Sequence, residues 1–142
     1  MSMEKLTIAD YPLAEKRPDR VVSARGMPLK AMTLDAVLAG AVTLEDLRIP
    51  ATALSQQGEI AADAGRPTLG QNFARAADLV DVPQDMIMRT YELLRPGRAK
   101  GKAELLTVAR ELRDAHKAER IAAFVEEAAE VYEQRGLFKR RF

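Results

Sequence analysis

The chain has 142 residues, with Lys and Arg at 22 against Asp and Glu at 21, a formal net charge of +1 and no cysteine. Near-neutrality argues against recognition of duplex nucleic acid by bulk charge, which needs a clustered positive surface to neutralise phosphates. Without thiols there is no disulfide framework, no thiolate nucleophile and no Cys-ligated zinc or iron–sulfur site, which fits a reducing cytoplasm.

Apolar residues make up 47% of the chain, yet 24 of these 67 are alanine and only seven are aromatic. Alanine adds little apolar area on burial, so the private core is thin. A partner that completes it is one reading; an ordinary Ala-rich helical domain is the other. No window approaches the roughly 18–20 apolar residues of a membrane span, and Met1–Asp10 has neither a basic n-region nor an apolar h-region. The expected location is cytoplasmic, with no membrane and no nucleic acid among the partners.

From Met1 to Met32, Pro12, Pro18, Pro28, Gly26 and ten charged residues break every apolar run before it can repeat. This reads as an extended arm with small anchors: Leu6 with Ile8, Tyr11 with Leu13, Val21 with Val22, and Met27 with Leu29. Such a segment is either disordered or lies along another surface and orders there.

Helical grammar begins at Thr33, a plausible N-cap, with Gly40 as the stop for a short helix over Leu34–Ala39. Thr43-Leu44-Glu45-Asp46 repeats the cue, and that piece ends by Pro50. A weak Ala-rich helix follows over Ala51–Ala64, interrupted by Gly58 and stopped by Gly65, with Leu54, Ile60 and Ala61 as buried candidates. Leu69, Phe73, Ala76, Ala77 and Val80 share one face of a better helix over Pro67–Val80. Pro83 suits the first position of a further segment in which Ile87, Tyr91 and Leu94 share a face before Pro96-Gly97.

The clearest helix is Lys102–His116, where Leu105, Val108, Ala109, Leu112 and His116 form a stripe. The next stripe, Ile121, Phe124, Val125, Ala128, Val131 and Tyr132, is out of phase with it, so a bend is expected near Lys117–Glu119 although no Gly or Pro marks one. Gly136 closes the last helix, and Leu137–Phe142 forms a basic tail. With no strand pattern, the expected fold is all-α: a small multi-helix domain at 33–142 preceded by an extended irregular N-terminal arm at 1–32.

The chemistry is sparse. His116 is the only histidine, so neither a two-His metal site nor a Ser-His relay with a spare histidine can be built, and its place on an apolar stripe gives it a structural role. Asp46, Asp63, Asp78, Asp81, Asp85 and the Glu126, Glu127, Glu130 and Glu133 run read as solvated faces rather than acid/base pairs. Gly65–Gly70 lacks the Gly-Lys-Ser/Thr ending of a phosphate loop and Pro67 removes a donor. Gly97–Gly101 reads as an interhelix turn with solvated cations, with anion binding as the weaker alternative. An interaction subunit follows more naturally than a stand-alone enzyme.

Several stretches, taken in order, resemble the small subunit of the adenosylcobalamin-dependent diol and glycerol dehydratases. They are Asp10-Tyr11-Pro12-Leu13-Ala14, Thr33-Leu34 with Val37–Gly40, Gly65–Leu69 through Gln71–Ala77, and Val82-Pro83 leading to Tyr91–Pro96. Then come Glu104–Leu106 with Glu111-Leu112, Ala123–Val125, and Glu130–Arg135. The resemblance runs from about Asp10 to Arg135.

That resemblance implies an enzyme of large, medium and small subunits, usually two copies of each, which dehydrates 1,2-propanediol or glycerol to the aldehyde by radical chemistry. It places substrate and metal in the large subunit and adenosylcobalamin between the large and medium subunits, so none is expected to be bound by this chain alone. The small chain packs on the large one and carries no catalytic, cofactor-binding or metal-binding motif. Tyr11, Pro12 and Leu13 are the expected arm anchors, with Phe73, Tyr91 and Tyr132 shared between core and interface; for each of these aromatics plain packing is an equal alternative. At Gly97–Gly101 relatives tend to carry bulkier residues, which suggests a looser turn here. Some relatives also have an amphipathic N-terminal extension associated with microcompartments, whereas this sequence opens almost at the arm, so encapsulation stays open. The alternative from another class is an autonomous helical adaptor or regulatory interaction domain.

Overall fold

A computed structural model describes residues 4–139, so Arg140 and Arg141 of the expected basic tail, and Phe142, lie outside the described residues. The chain divides into two units, Met1–Ala77 and Asp78–Phe142. Its α-helices are α1 (Leu13–Lys16), α2 (Leu34–Leu38), α3 (Ala51–Asp63), α4 (Pro67–Leu79), α5 (Gln84–Leu94), α6 (Lys102–His116) and α7 (Glu119–Gln134). Among the described residues there is no strand, only an isolated antiparallel bridge between Val22 and Pro28. The all-α expectation holds. No helix among those residues is long and apolar enough to cross a membrane.

In the first unit the arm is not simply extended. It folds through single 3-10 turns at Ile8–Asp10, Pro18–Arg20 and Leu29–Ala31, around the short α1, with a cis Tyr11–Pro12 peptide. The surface it lies along is α3 of its own unit. An irregular segment has no ladder to take up its N–H groups, so acceptors must come from elsewhere. Leu6 donates its N–H to Glu59 Oε2 at 2.9 Å and Ile8 donates to Asp63 Oδ2 at 2.8 Å. Leu6 and Leu13 are thereby buried against Ile60, with Val21 partly covered beside them.

The Thr33 cue is correct: its Oγ1 accepts the Ala36 N–H at 3.2 Å and α2 follows. The second cue, at Thr43, yields a 3-10 turn over Leu44–Leu47, and Pro50 caps α3. Gly58, which lowers intrinsic helicity, earns its place by packing. It faces Gly70 of α4 so closely that a Cβ on Gly70 would stand 2.9 Å from the Gly58 carbonyl oxygen, and one on Gly58 would stand 3.1 Å from the Gly70 oxygen. Leu69 and Val80, expected on the buried face of α4, are instead about two-fifths exposed.

In the second unit α6 occupies the expected residues, and Leu105, Val108, Ala109 and Leu112 are all sealed from solvent. The expected bend is real. Lys117 takes a left-handed conformation at φ 58°, with its N–H bonded to the Arg113 carbonyl at 3.1 Å and that of Ala118 to Leu112 at 3.0 Å. This two-residue joint makes α6 and α7 a helical hairpin. Its buried line on α7 differs from the bulky stripe expected: Ala122, Val125 and Ala129 are buried, Phe124 is exposed, and Ile121 and Tyr132 pack only partly. Small side chains at the seam let the helices approach, which a search for large apolar residues overlooks. On α5 the buried residues are Met86 and Thr90, whose hydroxyl donates to the Met86 carbonyl at 2.8 Å, while Tyr91 turns outward.

The Gly97–Gly101 turn is tied down rather than loose. The Gly97 N–H reaches the Leu137 carbonyl at 2.8 Å, Ala99 is buried, and the Lys100 N–H is taken by Glu104 Oε2 at 2.8 Å.

Candidate functional site

The first unit brings four of the six expected contact residues together around α3. Tyr11, Pro12 and Leu13 line an open groove of about 280 Å³ with Arg20, Val21 and Gln57. Tyr11 also borders a second groove, about 420 Å³, with Ile8, Ile60, Leu69 and Phe73. These volumes are those of small-molecule clefts. Yet no carboxylate or histidine lines either, so neither offers an acid/base pair. Tyr11 is half exposed, Pro12 and Phe73 half buried, and Leu13 is fully inside the small core.

Tyr91 and Tyr132 belong to the second unit. Tyr91 is exposed on α5. The Tyr132 hydroxyl donates to the Leu94 carbonyl and its ring meets Phe138 edge-on, with centroids 6.0 Å apart, so much of Tyr132 is committed to packing. His116 closes α6 as a half-buried residue of the last turn. Among the described residues no three His, Cys, Asp or Glu side chains come together as a metal-binding group.

The electrostatic centre of the first unit is Asp46, which the sequence reading placed among solvated carboxylates. It is buried instead. Its Oδ1 accepts from Ser23 Oγ at 2.8 Å and from Arg25 Nε at 2.9 Å; its Oδ2 accepts from the Thr43 N–H at 2.9 Å and from Arg25 Nη2. The Arg25 guanidinium, with the Thr43 N–H, holds this carboxyl far below the ordinary carboxylate range. Arg25 also donates to the Ala41 carbonyl at 2.8 Å, so one buried carboxylate and one arginine fasten residues 23–27 of the arm to residues 41–46. The signal in the sequence was Thr43-x-x-Asp46, a pattern in which the fourth residue reaches back to the first N–H; its partner Arg25, 21 residues away, carried none.

Other carboxylates also act as fasteners. Asp78 accepts from the Arg120 N–H and Nη1, both at 2.7 Å, and Glu126 takes both terminal nitrogens of Arg113, which lowers the Glu126 pKa. The acidic groups described here hold backbone and arginines in place; they do not form a reactive pair.

Comparison with known proteins yields a consistent result. The family described as dehydratase small subunit matches residues 6–139. Two curated relatives, the propanediol dehydratase small subunits of Citrobacter freundii and of Salmonella typhimurium strain LT2, are each 46% identical over 132 residues, covering 93% of this chain and 76% of the relative.

Proposed function

Since the chain belongs to the dehydratase small-subunit family, we propose that it serves as the small subunit of an adenosylcobalamin-dependent lyase that converts a 1,2-diol to an aldehyde and water. The observation that carries this reading is the family match over residues 6–139, almost the whole chain. Its partners are large and medium dehydratase subunits, two copies of each with two of this chain. Substrate choice between propanediol and glycerol belongs to those partners.

Adenosylcobalamin supplies the radical chemistry when bound. The residues here do not suit it: the two grooves described in the first unit, about 280 and 420 Å³, are of small-molecule size and far short of a corrin ring with its nucleotide loop. No reaction step is routed through this chain. Its residues contribute shape, with the arm, residues 1–32, and the helical domain, residues 33–142, both presenting contacts to the large subunit. Tyr11, Pro12, Leu13, Phe73, Tyr91 and Tyr132 are the proposed contact set, and the assembly is proposed to be cytoplasmic.

The test is reconstitution. Purified large and medium subunits are expected to recruit this chain in stable stoichiometry and to lose soluble, active complex when it is omitted. Normal association and diol turnover by the other two subunits alone would overturn the assembly role, and activity of the isolated chain would overturn its non-catalytic assignment.

A further inference from the structure

Among the described residues one buried side-chain nitrogen finds no acceptor in the protein: Nε of Arg20. Buried polar atoms are nearly always paired, and a guanidinium keeps its charge at any ordinary pH, so the exception asks for a cause. The 3-10 turn at Pro18–Arg20 carries the residue, and its Nη2 donates to the Glu4 carbonyl at 3.3 Å, which positions the cation without neutralising it. Nearby arginines are matched: Arg17 by Asp10 and Asp19, Arg25 by Asp46. Arg20 has no such acid among the described residues.

Arg20 lines the groove of about 280 Å³ that the arm forms with α3, and no acid lines it. Tyr11, Leu13 and Val21 make much of its wall apolar. From α3 come Thr52 and Gln56, one turn apart, which add neutral hydrogen-bonding groups. Thr52 also lies in the first turn of α3, a helix start that has neither a capping side chain nor an acid to complement its dipole. The groove is thus apolar along one part and electropositive along another.

We propose that this groove binds a carboxylate carried on a short aliphatic stem, the carboxylate taken by Arg20 through its unpaired Nε–H and the stem by the apolar wall. The planar fork of a guanidinium matches a carboxylate, and the charge-assisted bond supplies the acceptor that Nε lacks. One cation balances one monoanion; a phosphate dianion would bring a second charge into an apolar groove that holds no second cation. A neutral ligand of the same shape would leave the guanidinium unmatched. The volume suits a small acid or a single side chain rather than a length of chain. The same chemistry has two sources, a free short-chain acid or the Asp or Glu side chain of a neighbouring subunit, and the test separates them.

The experiment titrates the full chain, isotope-labelled at arginine, with butyrate and follows the Nε–H resonances. Butyramide, of the same shape without the charge, and sodium chloride at equal ionic strength are the references. The Arg20 resonance is expected to shift and to saturate, with butyramide at least about tenfold weaker and Arg110, exposed on α6, unmoved. Arg20→Gln is expected to abolish the accompanying shifts of the Thr52 and Gln56 amides, and Arg20→Lys, which keeps the charge but loses the fork, to weaken them. Should either variant misfold, the wild-type titration decides. An Arg20 resonance that ignores butyrate, or answers butyramide or chloride equally well, overturns the site. Co-expression with the large and medium subunits then assigns the source. Lower recovery of Arg20→Gln, with butyrate but not butyramide competing against wild type, places the carboxylate on a neighbouring chain. Equal recovery, with butyrate retained by the assembled wild type and not by the assembled variant, identifies a free acid. A complex that neither loses the variant nor retains butyrate overturns the site. The titration reads the groove even where the chain fails to join the complex, so failure of the small-subunit reading stays distinct.

Discussion

In the C-terminal unit Leu105, Val108, Leu112 and Val125 are sealed around alanines at 109, 118, 122 and 129, whereas among the described residues of the N-terminal unit the buried cluster is Leu6, Leu13 and Ile60. The first relies on burial. The second relies on polar fasteners: carboxylates that accept backbone N–H groups, the Arg25–Asp46 clamp, and the close passage of Gly58 and Gly70. It is also the unit with the greater display of exposed aliphatics, six of them between 34 and 49. An Ala-rich chain can thus concentrate its sealed bulky side chains in one helical unit, where Val82, Met86 and Ala99 join the α6–α7 seam, and use polar groups to shape a surface elsewhere.

The sharpest way to break the contrast is to hollow the hairpin. Leu112→Ala removes a fully buried side chain from the α6–α7 seam and is expected to cost about 2–5 kcal/mol in chemical denaturation. Slow-exchanging amides should be lost in α6 and α7 first. A smaller loss confined to the other unit is expected from Gly70→Ala, about 1–3 kcal/mol, because the new Cβ would sit 2.9 Å from a backbone oxygen that cannot turn aside. If Gly70→Ala were neutral by thermal melt, the close helix approach would have no energetic meaning.

Acid should separate the units further. Asp46 has its folded pKa lowered, so its stabilisation is complete above the unfolded value near 4 and is lost as pH falls through the lower folded value. Amide resonances of Ser23, Thr43 and Leu44 are therefore expected to hold their native positions at pH 5 and to move only below about pH 4. In Asp46→Asn this acid-dependent step should be absent. Glu126 contributes with the same sign in the hairpin, which retains its apolar core in acid.

The smallest effect sharpens rather than breaks the comparison. Lys117 occupies a left-handed conformation that a side chain disfavours, so Lys117→Gly is expected to stabilise the hairpin by about 1 kcal/mol in a denaturant titration.

These differences also explain what was legible in the sequence. Periodicity located α6 to the residue, and the phase slip after His116 located the joint although Lys117 gives no compositional sign of it. The caps at Thr33 and Thr43 were legible because their partners are local. What was missed depends on distance or on smallness. Arg25 meets Asp46 across 21 residues, Leu6 meets Glu59 across 53, and Ala122 and Ala129 outrank Phe124 in the seam because close approach favours a methyl group. Of the six expected contacts, four are aromatic and Pro12 and Leu13 belong to the arm; Leu13 and Tyr132 are largely engaged within their own units. The exposed leucines went unnoticed because an apolar residue is assigned to the interior unless its surroundings are known.

Glu59 and Asp63 grip the main chain of the arm, not its side chains. At position 8, whose side chain stands half in water, almost any residue keeps that grip, and only proline forfeits it by lacking the hydrogen. Related chains can therefore drift in spelling there while the path of the arm along α3 stays as it is.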